Sequence, residues 1–252
     1  MTAARQEQAN ILGRILRRIH RGTRGIPRSP KQAEAAACLL GDLNRWGWAN
    51  SLGRPPTINH EPVPWITYPA MVWLWGLLSG DERVLELGAG NSTLWFAARA
   101  TQVISLEHSP DWYAHFAESL PPNVELLFVD GSSTAGYQED LRLATKRFGP
   151  FDIILIDGGP DRVAATIESS SSLQDDGMII LDNSDFSKYQ PAVTFLNEVG
   201  FHRLDFFGPA PGSRYLLCTS VFSKSFEHWL SRQSGSVLPV PFFENMDYPF
   251  RS

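Results

Sequence analysis

Residues 84–93 read VLELGAGNST. A short apolar run ends in Gly88 and Gly90, and glycines at such spacing let a chain leave a strand sharply and approach a ligand with bare backbone. The run also carries a carboxylate, Glu86, two residues before the turn. Which ligand tolerates a negative charge there is the question the rest of the sequence has to answer.

From this stretch onward the pattern is regular. Short β-rich runs at 83–88, 102–108, 124–130, 151–157 and 177–182 alternate with helical patterns at about 92–100, 110–120, 137–148 and 161–173. That alternation is the signature of a parallel sheet with helices on both faces. A further helix at 189–200 leads into FHRLDFFG (201–208) and RYLLCTSVFSK (214–224), separated by PAPGS. So short a loop forces an antiparallel pair, because a parallel return needs a crossover of about a dozen residues or more. The expected fold is α/β: a doubly wound, mostly parallel, seven-stranded sheet closed by an antiparallel hairpin.

Open sheets of this kind bind ligands at the carboxyl ends of their strands. Polar residues end these strands in the right places: Glu86 and Gly88, then Glu107, Asp130, Asp157, and Asp182 with Asn183. Glu107 lies 19 residues beyond Gly88, the offset at which a carboxylate accepts ribose hydroxyls. A nicotinamide dinucleotide would fit that much. Its fingerprint, however, places a third glycine where this chain has Thr93, and Glu86 would set a negative charge beside a pyrophosphate. S-adenosylmethionine carries no phosphate and presents ammonium and sulfonium cations, which a carboxylate favours.

With those residues in view, the run from Glu86 to Thr93, the acidic end of the second strand and the terminal hairpin resemble the class I S-adenosylmethionine-dependent methyltransferases over about 83–224. The resemblance implies a Rossmann-like methyltransferase fold. It also implies that Glu86, Gly88 and Gly90, with Asn91 and Ser92, hold the methionine part, that Glu107 with His108 holds the ribose, and that Asp130 stands on the adenine side. More narrowly, PWITYPA (64–70), GNSTLW (90–95), Asp161-Arg162 and LDNSD (181–185) resemble a bacterial branch of these enzymes.

Asp157 and Asp182-Asn183 end successive strands, and such strands usually lie side by side. Their oxygens are suited to one hard cation such as Mg²⁺. This resembles the metal triad of catechol and caffeoyl-CoA type O-methyltransferases, which implies a cation that binds a substrate hydroxyl and lowers its pKa. Those enzymes often carry a Lys soon after the first Asp, whereas this chain reads Asp157-Gly-Gly-Pro-Asp161-Arg162. Metal binding, direct contact of Asp157, Asp182 and Asn183 with the acceptor, and simple capping all remain open on the sequence. His108, Lys188 and Tyr189 are further proton acceptors.

Five of the eight Trp, at 46, 48, 65, 73 and 75, precede the first strand of the sheet. That segment, 31–80, has to cover the open end of the sheet, and His60, Trp65 and Tyr68, with Arg162, are candidates for an acceptor pocket for a small molecule or saccharide. Trp73 and Trp75 sit in a short apolar helix at 69–79 and suit a core better.

The net charge of −5 conceals an asymmetry, since residues 1–30 hold seven Arg against Glu7 while residues 31–252 hold 15 basic and 26 acidic side chains. An acidic body of this kind argues against nucleic-acid binding. In the arm, Ile11, Leu12, Ile15, Leu16 and Ile19 share one helical face and Arg14, Arg17, Arg18 and Arg21 cover the remainder. Such a segment lies on an anionic membrane surface, docks on an acidic partner, or stays a solvated tail. Two cysteines exclude a disulfide framework, and no apolar run approaches the roughly 20 residues of a membrane span, so a cytoplasmic enzyme is expected, with the arm a candidate for peripheral membrane or protein contact. The domains expected are thus an arm (1–30), a Trp-rich cap (31–80), a cofactor-binding domain (81–230) and an irregular Pro-rich tail (231–252) compatible with packing in a homo-oligomer. The rival functions are a nicotinamide-dependent oxidoreductase and a non-catalytic binding module on the same fold.

Overall fold

The computed structural model describes residues 57–58, 61–118, 120–211 and 216–232. The basic arm, the helical reading of 31–48, His60 and the tail beyond 232 lie outside the described residues. Seven strands form one sheet: β1 (Arg83–Leu87), β2 (Gln102–Glu107), β3 (Val124–Phe128), β4 (Phe151–Ile156), β5 (Leu173–Asp182), β6 (His202–Gly208) and β7 (Leu217–Ser223). Their order is β3-β2-β1-β4-β5-β7-β6. The first five run parallel, while β7 lies antiparallel between β5 and β6. The hairpin expected at the end of the chain therefore inserts its second strand into the sheet and leaves its first at the edge.

The helices are α1 (Tyr68–Trp75), α2 (Asn91–Ala97), α3 (Pro110–Ala117), α4 (Thr134–Phe148), α5 (Arg162–Ser170), α6 (Gln190–Glu198) and α7 (Glu227–Arg232). Strand alternation sorts them between two cores. Leu85, Leu87, Ile154 and Ile156 face a core that contains Tyr137, Leu141, Ala165 and Leu196, from α4, α5 and α6. Val84, Val103, Ile153 and Leu155 face the other, built with Met71, Leu74, Trp95, Phe96 and Trp229 from α1, α2 and α7. Trp73 and Trp75 pack against this second core, as their apolar helix implied. The described part of the expected cap is thus continuous with the main core.

One strand departs from expectation. β5 begins at Leu173 rather than at Gly177, because its polar start still pairs with β4 through Phe151↔Leu173, with a register shift before Ile153↔Met178. Among the described residues no helix is long and apolar enough to cross a membrane.

The sheet's two central strands leave it at a single crowded point. A Cβ on Gly88 would stand 2.7 Å from the Gly158 Cα, and one on Gly158 would stand 2.5 Å from the Gly88 Cα. Gly88 also has φ +103°, where side chains are strained, whereas Gly80 has φ +98° with nothing within 4 Å. Three alanine substitutions separate the effects. Gly80→Ala carries strain alone, Gly158→Ala carries the clash alone, and Gly88→Ala carries both. Losses of about 1, 1–3 and more than 3 kcal/mol are expected in that order, read as urea midpoints at constant m-value.

Candidate active site

The switch in strand order falls between β1 and β4, and a cavity of about 620 Å³ opens there at the carboxyl edge. Gly88, Ala89, Gly90, Asn91 and Ser92 form one wall, Glu107 and Trp112 a second, and Asp157, Gly158, Arg162, Asp182 and Asn183 a third. Trp65, Pro211 and Leu217 complete it. Residues singled out on four separate stretches of sequence thus meet around one space.

Glu107 is the organised group on the cofactor side. Its Oε2 accepts the Ala89 N–H at 3.0 Å, and its Oε1 accepts those of His108 at 2.8 Å and Ser109 at 2.6 Å. A carboxylate offers about four acceptor positions, so about one remains on a side chain that lines the cavity. The Ser109 hydroxyl caps α3, and the first turn of that helix carries Trp112, whose indole N–H donates to the Ala89 carbonyl. The glycine turn is therefore pinned on its N–H side by Glu107 from β2 and on its carbonyl side by Trp112 from α3. His108 lies beside the cavity, not in its wall. Its Nδ1 stands 3.3 Å from Glu107 Oε1, and its ring fills the space above Gly131.

Glu86 stands elsewhere than its charge suggested. It shares a face with Val84, is fully buried, and is enclosed behind the turn under α2. Its Oε2 accepts the hydroxyls of Thr93 and, at 2.6 Å, of Ser105, its cross-strand neighbour. Thr93 Oγ1 in turn accepts the Gly90 N–H at 2.9 Å. Burial pushes the Glu86 carboxyl up to about 7, against the opposing pull of these hydroxyls. Strand alternation aims Glu86 away from the cavity wall: its Oε2 links β1 to the turn, while its Oε1 is buried without a hydrogen-bond partner.

Two other residues also miss the cavity. Asp130 is exposed at the exit of β3, where Ser132 supplies hydrogen bonds that hold it below the usual carboxylate range. Tyr68 is buried in the core at the start of α1, and that burial raises its phenol. Trp65, by contrast, is 48% exposed and lines the cavity mouth. Its segment is stitched to the sheet by the Tyr68 N–H on Pro209 O at 2.9 Å and the Thr67 hydroxyl on Phe206 O at 2.9 Å.

On the third wall Asp161 caps α5, its Oδ1 accepting the N–H groups of Val163 and Ala164 at 3.0 Å each. That cap places Arg162 at the first helical position, from which its guanidinium reaches both strand exits. Nη1 donates to Asp182 O at 3.0 Å and Asn183 Oδ1 at 3.2 Å, while Nη2 donates to Asp157 Oδ1 at 3.0 Å and to the Asp157 carbonyl. The Tyr189 ring backs the guanidinium, 5.2 Å from Cζ to centroid. Asn183 takes φ 56°, a left-handed conformation that Asn tolerates. Asp182 is 2% exposed, and its Oδ1 accepts the Thr219 hydroxyl at 2.6 Å. Burial raises both carboxyls, and the Asp157 charge lifts Asp182 further while Arg162 restrains Asp157. Lys188 and Tyr189 do not line the cavity.

This arrangement does not fit the divalent cation expected here. Two of the expected ligand oxygens, Asp157 Oδ1 and Asn183 Oδ1, already accept from a guanidinium that also holds the Asp182 main-chain oxygen, the Asp182 carboxyl is tied to Thr219, and a second positive centre beside Arg162 would be repelled. Among the described residues no group of three or more His, Cys, Asp or Glu side chains could hold a metal ion. Trp112 and Leu217 were missed on the sequence. For Trp112 the signal was present: Ser109-Pro110 reads as a helix start, which puts Trp112 in the first turn beside the end of β2.

Compared as a sequence, the chain matches no family model and no curated protein. Its fold is similar to that of many solved structures. Spermidine synthase in complex with the transition-state analogue AdoDATO superposes with a TM-score of 0.49 at 16% identity, over 67% of this chain and 62% of that one. The O-methyltransferase TomG from Streptomyces achromogenes, in complex with SAM, gives 0.49 at 14%, over 72% and 88%. Precorrin-6y C5,15-methyltransferase from Geobacter metallireducens gives 0.47 at 18%, over 61% and 86%. The chain thus spans less than two thirds of the length of the spermidine synthase it resembles. What the strand order defines is the architecture: a Rossmann-like, mostly parallel seven-stranded sheet closed by an antiparallel pair.

The enclosed Glu86 makes stability depend on pH. Its folded-state pKa lies above its usual value, so the folded chain favours the protonated form. Its contribution is full below about pH 4.5 and is lost as pH rises through about 7. Glu86→Gln mimics the protonated group. It should flatten the fall in unfolding free energy between pH 5 and 8 by about 3 kcal/mol at most. Parallel pH profiles for parent and variant would refute the assignment.

Proposed function

We propose that this chain transfers the methyl group of S-adenosylmethionine to a hydroxyl oxygen of a small molecule or saccharide. The observation that carries the reading is the meeting, in one cavity, of the glycine turn, the backbone-organised Glu107 and the strand ends at Asp157, Asp182 and Asn183. The bare turn at Gly88–Gly90, followed by Asn91 and Ser92, suits the methionine portion, and the remaining acceptor capacity of Glu107 suits a ribose hydroxyl. With the cofactor bound in that way, Asp157 and Asp182 on the opposite wall would flank the sulfonium methyl and its acceptor. In the transfer, a lone pair on the acceptor oxygen forms the new O–C bond as the C–S bond breaks, leaving S-adenosylhomocysteine. The hydroxyl proton passes to Asp182 in its ionised form, a form that burial keeps scarce until the pH approaches about 8, and Thr219 fixes the Oδ1 of that carboxyl. What the protein contributes is alignment of oxygen, methyl and sulfur in a line, within a site whose dipoles are already set. Trp65 supplies an exposed ring at the mouth on which a sugar or aromatic face can rest.

TomG, an O-methyltransferase solved with SAM, accords with this reading without identifying an acceptor. Calorimetry with S-adenosylmethionine and S-adenosylhomocysteine tests the cofactor side. Micromolar binding is expected, weakened by about tenfold or more in Glu107→Ala, which corresponds to about 1.4 kcal/mol. Binding of NADH in preference to both would establish the oxidoreductase rival. Asp182→Asn should leave S-adenosylhomocysteine affinity within about threefold while lowering turnover of a hydroxylated acceptor by about 100-fold or more. Cofactor binding without turnover across saccharides, phenols and amines would point to the binding module.

A further inference from the structure

The acceptor wall contains a cation supplied by the chain itself. Asp157 Oδ1, Asp182 O and Asn183 Oδ1 converge on the Arg162 guanidinium at 3.0, 3.0 and 3.2 Å, with the Asp157 carbonyl as a fourth acceptor. A bound Mg²⁺ would need such oxygens at about 2.0–2.1 Å in near-octahedral array. The planar fork cannot share its oxygens on those terms, and it does not swing freely. Asp161 fixes the helix start from which it projects, and the Tyr189 ring backs it. Both terminal NH₂ groups are spent on the two strand exits, so Arg162 serves as a clamp between them.

We propose that Arg162 takes the place of the divalent metal on this wall, so that the site works without one and selects its acceptor through a hydroxyl donated to Asp182 instead of through chelation by a pair of adjacent oxygens. The acceptor half of this inference rests on the methyl-transfer reading above; the metal half stands on geometry alone. Chelating acceptors such as catechols present an ionised oxygen to a metal. Here that oxygen would face Asp157 and Asp182 with no free positive partner. The charged side chains lining the cavity, among the described residues, are Glu107, Asp157 and Asp182 against Arg162. The one cation among them is already engaged by the two strand exits, so phosphorylated and carboxylated acceptors find no free positive partner either. The acceptor class is therefore an uncharged alcohol, as on a polyol or a sugar ring. Arg162 is a positioning residue, because it acts through the two strand ends it joins.

Mn²⁺ is a suitable probe, since its free and bound forms are distinguished by electron paramagnetic resonance. The full chain, stripped with EDTA, is expected to leave Mn²⁺ free, and its affinity for S-adenosylhomocysteine should not change on adding EDTA or Mg²⁺. Arg162→Met removes the charge but keeps the length. It should expose the oxygens and bind Mn²⁺ at least about tenfold more tightly than the parent, while Arg162→Lys, which keeps a cation, should not. One Mn²⁺ bound per parent chain and lost in Asp157→Asn would overturn the proposal. So would Mg²⁺-dependent binding of catechol to the parent loaded with S-adenosylhomocysteine. If Arg162→Met bound Mn²⁺ no better than the parent, the oxygens would not constitute a cation site, and the substitution of arginine for metal would fail. Should Arg162→Met not fold, the parent measurements decide. Absence of S-adenosylhomocysteine binding would remove the methyltransferase reading and leave the Mn²⁺ results to judge the metal half alone.

Discussion

Everything around the cavity follows from the close passage of two backbones at the head of the sheet. Where β1 and β4 let go of one another, Gly88 and Gly158 lie in contact, and neither position has room for a side chain. Strand order changes direction at this point, so helices depart to opposite faces and leave the cleft between them. The first turn then donates its N–H groups to Leu106 O and to the Glu107 carboxylate of β2, and the second leads into the capped start of α5. A ligand in the cleft meets main-chain atoms on one side and strand-end side chains on the other, both held by the regular sheet beneath.

Three acidic strand-end residues serve three different purposes, decided by which way each side chain points. Glu86 faces inward and ties strand to turn through Thr93 and Ser105, as part of the core that α2 closes. Glu107 lines the cavity with its oxygens organised by three N–H groups. Asp157 is joined to Arg162, and through it to the neighbouring strand exit. A carboxylate at the end of a parallel strand is thus no single kind of object, and its burial and partners determine what it does.

The contrast explains how far the sequence could be read. Alternating strands and helices, the antiparallel end and the gathering of Gly88, Glu107, Asp157, Asp182 and Asn183 followed from periodicity and from the rule that strand ends form the site. The direction of Glu86 was also available, since period two puts it on the face of Val84 and away from Leu85 and Leu87. Chemical type overrode that signal. Tyr68 was mistaken for similar reasons, an aromatic residue near the mouth that the start of α1 turns into the core. Arg162 was the least legible. Its spacing after Asp157 is plain, but its reach to Asn183 depends on the separation of β4 and β5 and on the Asp161 cap, which are long-range and local facts that no single stretch displays together.

The hydroxyl of Thr219 belongs to two neighbourhoods at once. It accepts the Thr67 N–H at 3.0 Å from the segment that carries Trp65, and it donates to Asp182 at 2.6 Å. The segment that carries the ring at the entrance and the acid at the far wall are therefore joined through one hydroxyl oxygen, on the strand that is last along the chain yet lies inside the sheet. The gatepost and the latch hang on the same hinge pin, so a backbone shift at Thr67, two residues from Trp65, is felt at the oxygen that holds Asp182.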